Sequence, residues 1–180
     1  MIELARYNPK EDAQVLYEIY KTPGFEEFFR RSPIGLGRDD FDKIEEKLQA
    51  MFFTVKYHGE LAGFITLSCI DTYGMTCQFG LLLDGKYQDY KTDFGNKLCY
   101  EVTRYFLNYI FSNSLTNKVS MRFLQTRSDI EHSLTKGGFW KEAHFKDSVF
   151  FQGKFCDELE YAITRERFVR CHSLPRSQES

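Results

Sequence analysis

The chain has 180 residues, a formal net charge of −2, 42% hydrophobic and 28% charged residues, which suits one soluble domain with its own core. That charge balance builds no broad basic face, so binding to nucleic acid through phosphate neutralisation is not expected. No apolar run approaches the ~20 residues that span a bilayer, and Met1-Ile2-Glu3-Leu4 lacks the basic-then-apolar order of a signal peptide.

Ile2 to Tyr7 alternates as a first strand. Asn8-Pro9 breaks it, and Glu11 to Tyr20 carries a helical stripe of Val15, Leu16, Ile19 and Tyr20. Thr22-Pro23-Gly24 ends that helix, Phe25 to Phe29 reads as a short helix, and Ser32 to Arg38 as a loop. Asp39-Asp40 caps a helix with apolar positions Phe41, Ile44 and Leu48. Phe52 to Tyr57, a turn at His58-Gly59-Glu60, and Leu61 to Cys69 form a hairpin. After a turn over Asp71 to Gly74, Thr76 to Leu83 is a strongly apolar strand. Phe94 to Phe111 is the longest helix, with Leu98, Val102, Tyr105 or Phe106, and Tyr109 at helical spacing. Lys118 to Leu124 is a strand, and Ser128 to Lys136 a short helix stopped by Gly137-Gly138. A hairpin from about His144 to Thr164 follows, and residues 169–180 read as a flexible tail after a single domain of residues 1–168. A strand, a helix and another strand imply a parallel crossover, while the hairpins imply antiparallel pairing, so the fold class is mixed α+β.

The five cysteines (Cys69, Cys77, Cys99, Cys156, Cys171) form no CxxC pair and read as reduced thiols of a cytoplasmic protein. The four histidines are scattered, and no metal site is expected.

Gly137-Gly138-Phe139-Trp140-Lys141-Glu142, then Phe150 to Asp157, then Tyr161-Ala162-Ile163-Thr164 together resemble the C-terminal third of the GNAT N-acyltransferases, especially their RimJ/RimL-like branch. The resemblance covers about Ile2 to Phe168. It implies a twisted, largely antiparallel sheet flanked by helices, with a splayed central parallel strand pair that holds an acyl-CoA. Acetyl-CoA or another acyl-CoA would then be the co-substrate and an amine the acceptor. Backbone groups of the fourth strand at Leu81, Leu82 and Leu83 would pair with the pantetheine arm. The pyrophosphate would sit at the following helix start, where free N–H groups and the helix dipole favour an anion. The resemblance places there Thr92, Asp93, Phe94, Gly95, Asn96 and Lys97, with Arg127 as a further cofactor contact.

Two family motifs are worn. The pyrophosphate motif Q/R-x-x-G-x-G/A falls on Tyr90-Lys91-Thr92-Asp93-Phe94-Gly95, where Gly95 alone survives and Asp93 is either a helix cap or a repelling charge. The pattern N-x-x-S-x-x-x-Y-x-x-x-G-F, counted back from Gly138-Phe139, gives Arg127, Ile130 and Leu134. Many relatives use the tyrosine to protonate the leaving thiolate, and leucine has no proton to give. Gln78 stands where relatives carry a catalytic carboxylate. His144, Glu26 and Glu27 are other candidates for moving a proton, and Phe25, Glu26 and Glu27 for contacting the acceptor. Cys77 as an acyl-carrying nucleophile is opposed by the simpler reading of a core thiol.

The leading expectation is acyl-CoA-dependent transfer, most simply of acetyl, to a primary amine of a small molecule or protein. The worn motifs keep two alternatives open: a GNAT-like binding or structural module without catalysis, and an acyltransferase using a carrier protein or a longer acyl donor. The expected state is monomer or homodimer, with neither nucleic acid nor membrane as partner.

Overall fold

The structure is a computed structural model; it describes residues 1–21, 36–84, 87 and 93–173, and of residues 93–96, 128, 129 and 173 the backbone alone. Strand β1 (Ile2–Arg6) leads into helix α1 (Pro9–Tyr20), whose N-cap Asn8 accepts a hydrogen bond from the Lys10 amide. A 3-10 turn (Arg38–Lys43) continues as α2 (Ile44–Leu48). Then come β2 (Met51–Tyr57), β3 (Glu60–Asp71), β4 (Thr76–Leu83), α3 (Asp93–Asn113), β5 (Lys118–Leu124), α4 (Ser128–Lys136), β6 (Trp140–Phe151), β7 (Lys154–Thr164) and α5 (Arg165–Ser173). The expected short helix at Phe25 to Phe29 lies outside the described residues.

Seven strands form one sheet in the order β1-β2-β3-β4-β5-β7-β6, antiparallel throughout except between β4 and β5. The mixed α+β class is therefore as the sequence implies. Two-residue turns with positive φ close the β2–β3 and β6–β7 hairpins: His58 (φ 54°) with Gly59 (82°), and Gln152 (49°) with Gly153 (83°).

Alternation along β4 sorts its side chains into two layers. Cys77, Phe79, Leu81 and Leu83 join the larger core with Leu98, Val102 and Phe106 of α3 and Ile130 and Leu134 of α4. Leu82 faces the other way, into a smaller core with Leu16 of α1, Phe41, Phe52 and Phe64. Asp12 fastens α1 to that second layer, accepting from the Thr54 hydroxyl and the Asn8 amide at 2.8 Å each.

Three expectations shift. On α3 the core stripe steps by four through Leu98, Val102, Phe106 and Ile110, leaving Tyr105 and Tyr109 more than 40% exposed. β6 starts at Trp140, because Gly138 (φ 91°) turns the chain straight from the helix stop into extended backbone. The boundary expected at residue 168 falls inside α5, whose Phe168 is 6% exposed and packs on Phe111 at 5.4 Å between ring centroids.

Candidate active site

β4 and β5 run parallel for three rungs only: Thr76↔Lys118, Cys77↔Val119 and Gln78↔Ser120. Beyond that point each strand keeps its outer partner. β4 stays on β3 as far as Leu83↔Gly63, and β5 stays on β7 as far as Leu124↔Glu158. The inner edges of Phe79–Leu82 and Met121–Phe123 thus face each other without a ladder between them. Peptide N–H and C=O groups cannot be left dry and unpaired at low cost, so such a gap suits an extended ligand with amides of its own, added in the manner of a strand.

The gap opens toward the carboxyl ends of both strands, the position where open sheets with crossover helices bind ligands. Helices α3 and α4 both begin at that end, and a helix start attracts anions. The backbone of Asp93, Phe94, Gly95 and Asn96 forms the first turn of α3, and Lys97 is exposed one position on. Arg127 precedes α4 and is 8% exposed. Thr92, Phe25, Glu26 and Glu27 lie outside the described residues.

At the closed end, Gln78 and Ser120 are partners on the last parallel rung and share the face away from α3. Ser120 is 6% exposed. Sequence reasoning passed over it, since only strand pairing sets it beside Gln78. The same face continues across β5, β7 and β6 as a polar strip. The Arg122 Nε donates to Glu160 at 2.6 Å, and its guanidinium lies 4.4 Å from the centre of the Phe145 ring. Glu158, 4% exposed, accepts from the Ser148 hydroxyl at 3.1 Å. These two carboxylates were also missed, because β5 and β7 are adjacent in space but far apart in sequence.

His144 is placed elsewhere. Its Cα pairs with Leu159, a residue of the α3–α4 layer, and β5 and β7 separate its strand from β4. Three strand spacings put it ~14 Å from the Gln78 strand, so the fold does not bring these two candidates together. His144 instead bonds the Asp157 carboxylate at 2.7 Å. The Asp147 amide, and after it His144, hold that carboxyl below its ordinary range.

Cys77 is 3% exposed, and burial pushes its thiol up to about 11 despite a hydrogen bond with Thr116. It carries its proton at neutral pH and points into the α3 layer, so it is a core thiol rather than a nucleophile. Leu134 is 1% exposed between α4 and the sheet. Leu134→Tyr therefore overfills a packed site and is expected to lower stability by about 1–3 kcal/mol in denaturant titrations.

One phenol does lie under α4. The Tyr161 hydroxyl donates to the Glu131 carboxylate of that helix, and burial, with Glu131 second, pushes its pKa up to about 12. Tyr161 shares its rung with Met121, the first β5 residue past the parallel ladder. A raised folded-state value means that the unfolded chain loses its proton first. The stability contributed by Tyr161, and likewise by Cys77, is complete at neutral pH. For Cys77 it is lost from about pH 9 to 11, and for Tyr161 from about pH 10 to 12. Melts across that range should show an alkaline decline that Tyr161→Phe flattens at its upper end; an unchanged profile would contradict the assignment.

Among the described residues no group of three or more His, Cys, Asp or Glu could hold a metal ion, and no helix is long and apolar enough to cross a membrane.

No family model matches the sequence, and no curated protein matches it. Solved structures do. Spermidine N-acetyltransferase from Vibrio cholerae, in complex with CoA and spermine, superposes with a TM-score of 0.81 at 16% identity, covering 93% of this chain and 98% of that one. RimL, a ribosomal L7/L12 α-N-protein acetyltransferase in complex with coenzyme A, gives 0.78 at 12% identity, covering 91% and 93%. A probable acetyltransferase gives 0.74 at 16%, covering 92% and 93%. At such identities the likeness establishes the fold, including the mostly antiparallel seven-stranded sheet with its parallel pair.

Proposed function

We propose that this protein is an acyl-CoA-dependent N-acyltransferase, transferring an acetyl or related acyl group to a primary amine. The single observation that carries the proposal is the parallel β4–β5 ladder that stops after Gln78↔Ser120 and leaves two facing backbone edges. CoA-bound acetyltransferases share the fold in which that gap occurs. The pantetheine amides pair with the Leu81–Leu83 backbone, the pyrophosphate lies at the α3 start over residues 93–97, and Arg127 adds a positive charge at the mouth.

Transfer needs a deprotonated amine, a polarised thioester carbonyl and both held at attack distance. Positioning alone lowers the barrier by about 7–11 kcal/mol, and a backbone N–H on the inner edge of β4 polarises the carbonyl without any special side chain. The amine approaches from the Gln78–Ser120 face, where Glu158 and Glu160 favour a cation. Gln78 orients the amine through hydrogen bonds and takes no proton, so water carries the proton away. His144 lies too far from this face to serve as the base, and the side chain of Leu134 gives no proton to the thiolate.

Calorimetry with acetyl-CoA tests the cofactor half and should give one site per chain; silence up to millimolar ligand would sink the proposal. A panel of amines followed by thiol release tests the transfer. Binding without release for any amine would favour the non-catalytic module. Release from an acyl-carrier protein but not from acetyl-CoA would favour the carrier-dependent reading.

A further inference from the structure

At the closed end of the sheet, away from the β4–β5 gap, the start of α5 and the start of β6 enclose an open cleft of about 380 Å³ lined by Trp140, Thr164, Glu166, Arg167 and Arg170. That volume is within the range of small-molecule sites. Its polar lining is dominated by donors. The Arg167 Nε is committed to the Gly138 carbonyl at 2.6 Å, which fixes the guanidinium 5.3 Å from the centre of the Trp140 ring. The other Arg167 nitrogens, the whole Arg170 guanidinium and the Trp140 indole N–H have no hydrogen-bond partner among the described residues. Arg170 follows Arg167 by three positions on α5, so both project from one side of the helix. Two arginines against Glu166 leave one net positive charge.

The geometry points to this cleft as a binding site for a small oxyanion, a phosphate or a carboxylate group, distinct from the acyl-CoA gap. Guanidinium forks match such groups two oxygens at a time. Arg167 is already held rigid by Gly138 and Trp140, so ordering it on binding costs little. The Glu166 carboxylate accepts a hydrogen bond from a hydroxyl or ammonium elsewhere on the ligand, and it discourages anions with a second charge.

Trp140 is the only tryptophan of the chain, so its emission reports on this cleft alone. The full chain is titrated at constant ionic strength with sodium phosphate, with sodium acetate and with sodium chloride. Saturable change with phosphate alone identifies a phosphorylated ligand, and with acetate alone a carboxylate. Arg170 is exposed, so Arg170→Ala leaves the fold intact and should weaken binding by about tenfold or more, with Arg170→Lys restoring only part. An emission that responds equally to all three salts, or to none, or that titrates unchanged in Arg170→Ala, overturns the assignment. Saturation that acetyl-CoA competes away also overturns it, because the anion would then be sitting in the gap.

Discussion

Gly63→Ala is expected to destabilise the protein by about 3 kcal/mol or more, because overpacking and a side chain in a disfavoured backbone region act together. Gly63 stands on β3 where the register with β2 shifts, between Val55↔Gly63 and Lys56↔Leu61. Its φ of 156° is one that side chains rarely adopt, and a Cβ built there would lie 2.1 Å from the Leu82 carbonyl oxygen and 2.7 Å from the Leu83 Cα. Both obstacles are backbone, so no rotamer change relieves them, and the end of β4 must move by more than an ångström to restore ordinary contact. That stretch is one wall of the gap. The loss of stability should therefore come with weaker acetyl-CoA binding at temperatures where the variant is still folded. Urea titration measures the first effect and calorimetry the second. A variant with unchanged midpoint and affinity would show that the close approach of β3 and β4 is not as described.

The sequence made the walls of the site legible but not the space between them. Thr76–Leu83, Lys118–Leu124 and Ser128–Lys136 have the same bounds in sequence and structure, since each is an apolar or amphipathic run closed by turn residues such as Gly74 or Gly137-Gly138. The break in pairing after Gln78↔Ser120 is a relation between two strands some forty residues apart, and no local pattern encodes it; only the family resemblance led to it. The Arg122–Glu160 pair was invisible for the same reason. On α3, Tyr105, Phe106 and Tyr109 all satisfy a loose helical spacing, and the choice of Phe106 with Ile110 depends on which face meets Phe53 and Phe79. Residues past 168 look polar and tail-like in isolation. They are helical through Ser173 because tertiary contacts at Phe168 and Arg165 anchor a segment whose own pattern is weak.

Arg165 supplies the second large expected effect. Its guanidinium gathers carbonyls from the end of α3 and the connection to β5: Nε donates to Thr116 at 3.2 Å, one terminal nitrogen to Phe111, and the other to Ser114 and Thr116 at 2.7 Å each. The cation also stands 5.6 Å from the centre of the Phe111 ring. Carbonyls at a helix C-terminus lack intrahelical donors and carry the negative end of the helix dipole, so one cation satisfies several of them at once. Arg165→Met keeps much of the apolar stem and removes every donor. Hydrogen bonds to charged groups contribute about 1.5–3 kcal/mol, and carbonyls left unmet add to the loss, so about 3 kcal/mol is expected. The Asn117 carbonyl still accepts from the Arg165 backbone amide at 2.7 Å, and that bond survives the substitution. The damage should therefore be local to the α3–β5 connection. Lys118 and Val119, which open β5 and form the first two rungs with β4, follow directly. Hydrogen exchange should show faster opening at residues 111–120 than in the β2–β3 hairpin. Uniform acceleration across the sheet, or stability within about 0.5 kcal/mol of the parent as for an ordinary surface change, would show that Arg165 does not hold the closed end of the gap together.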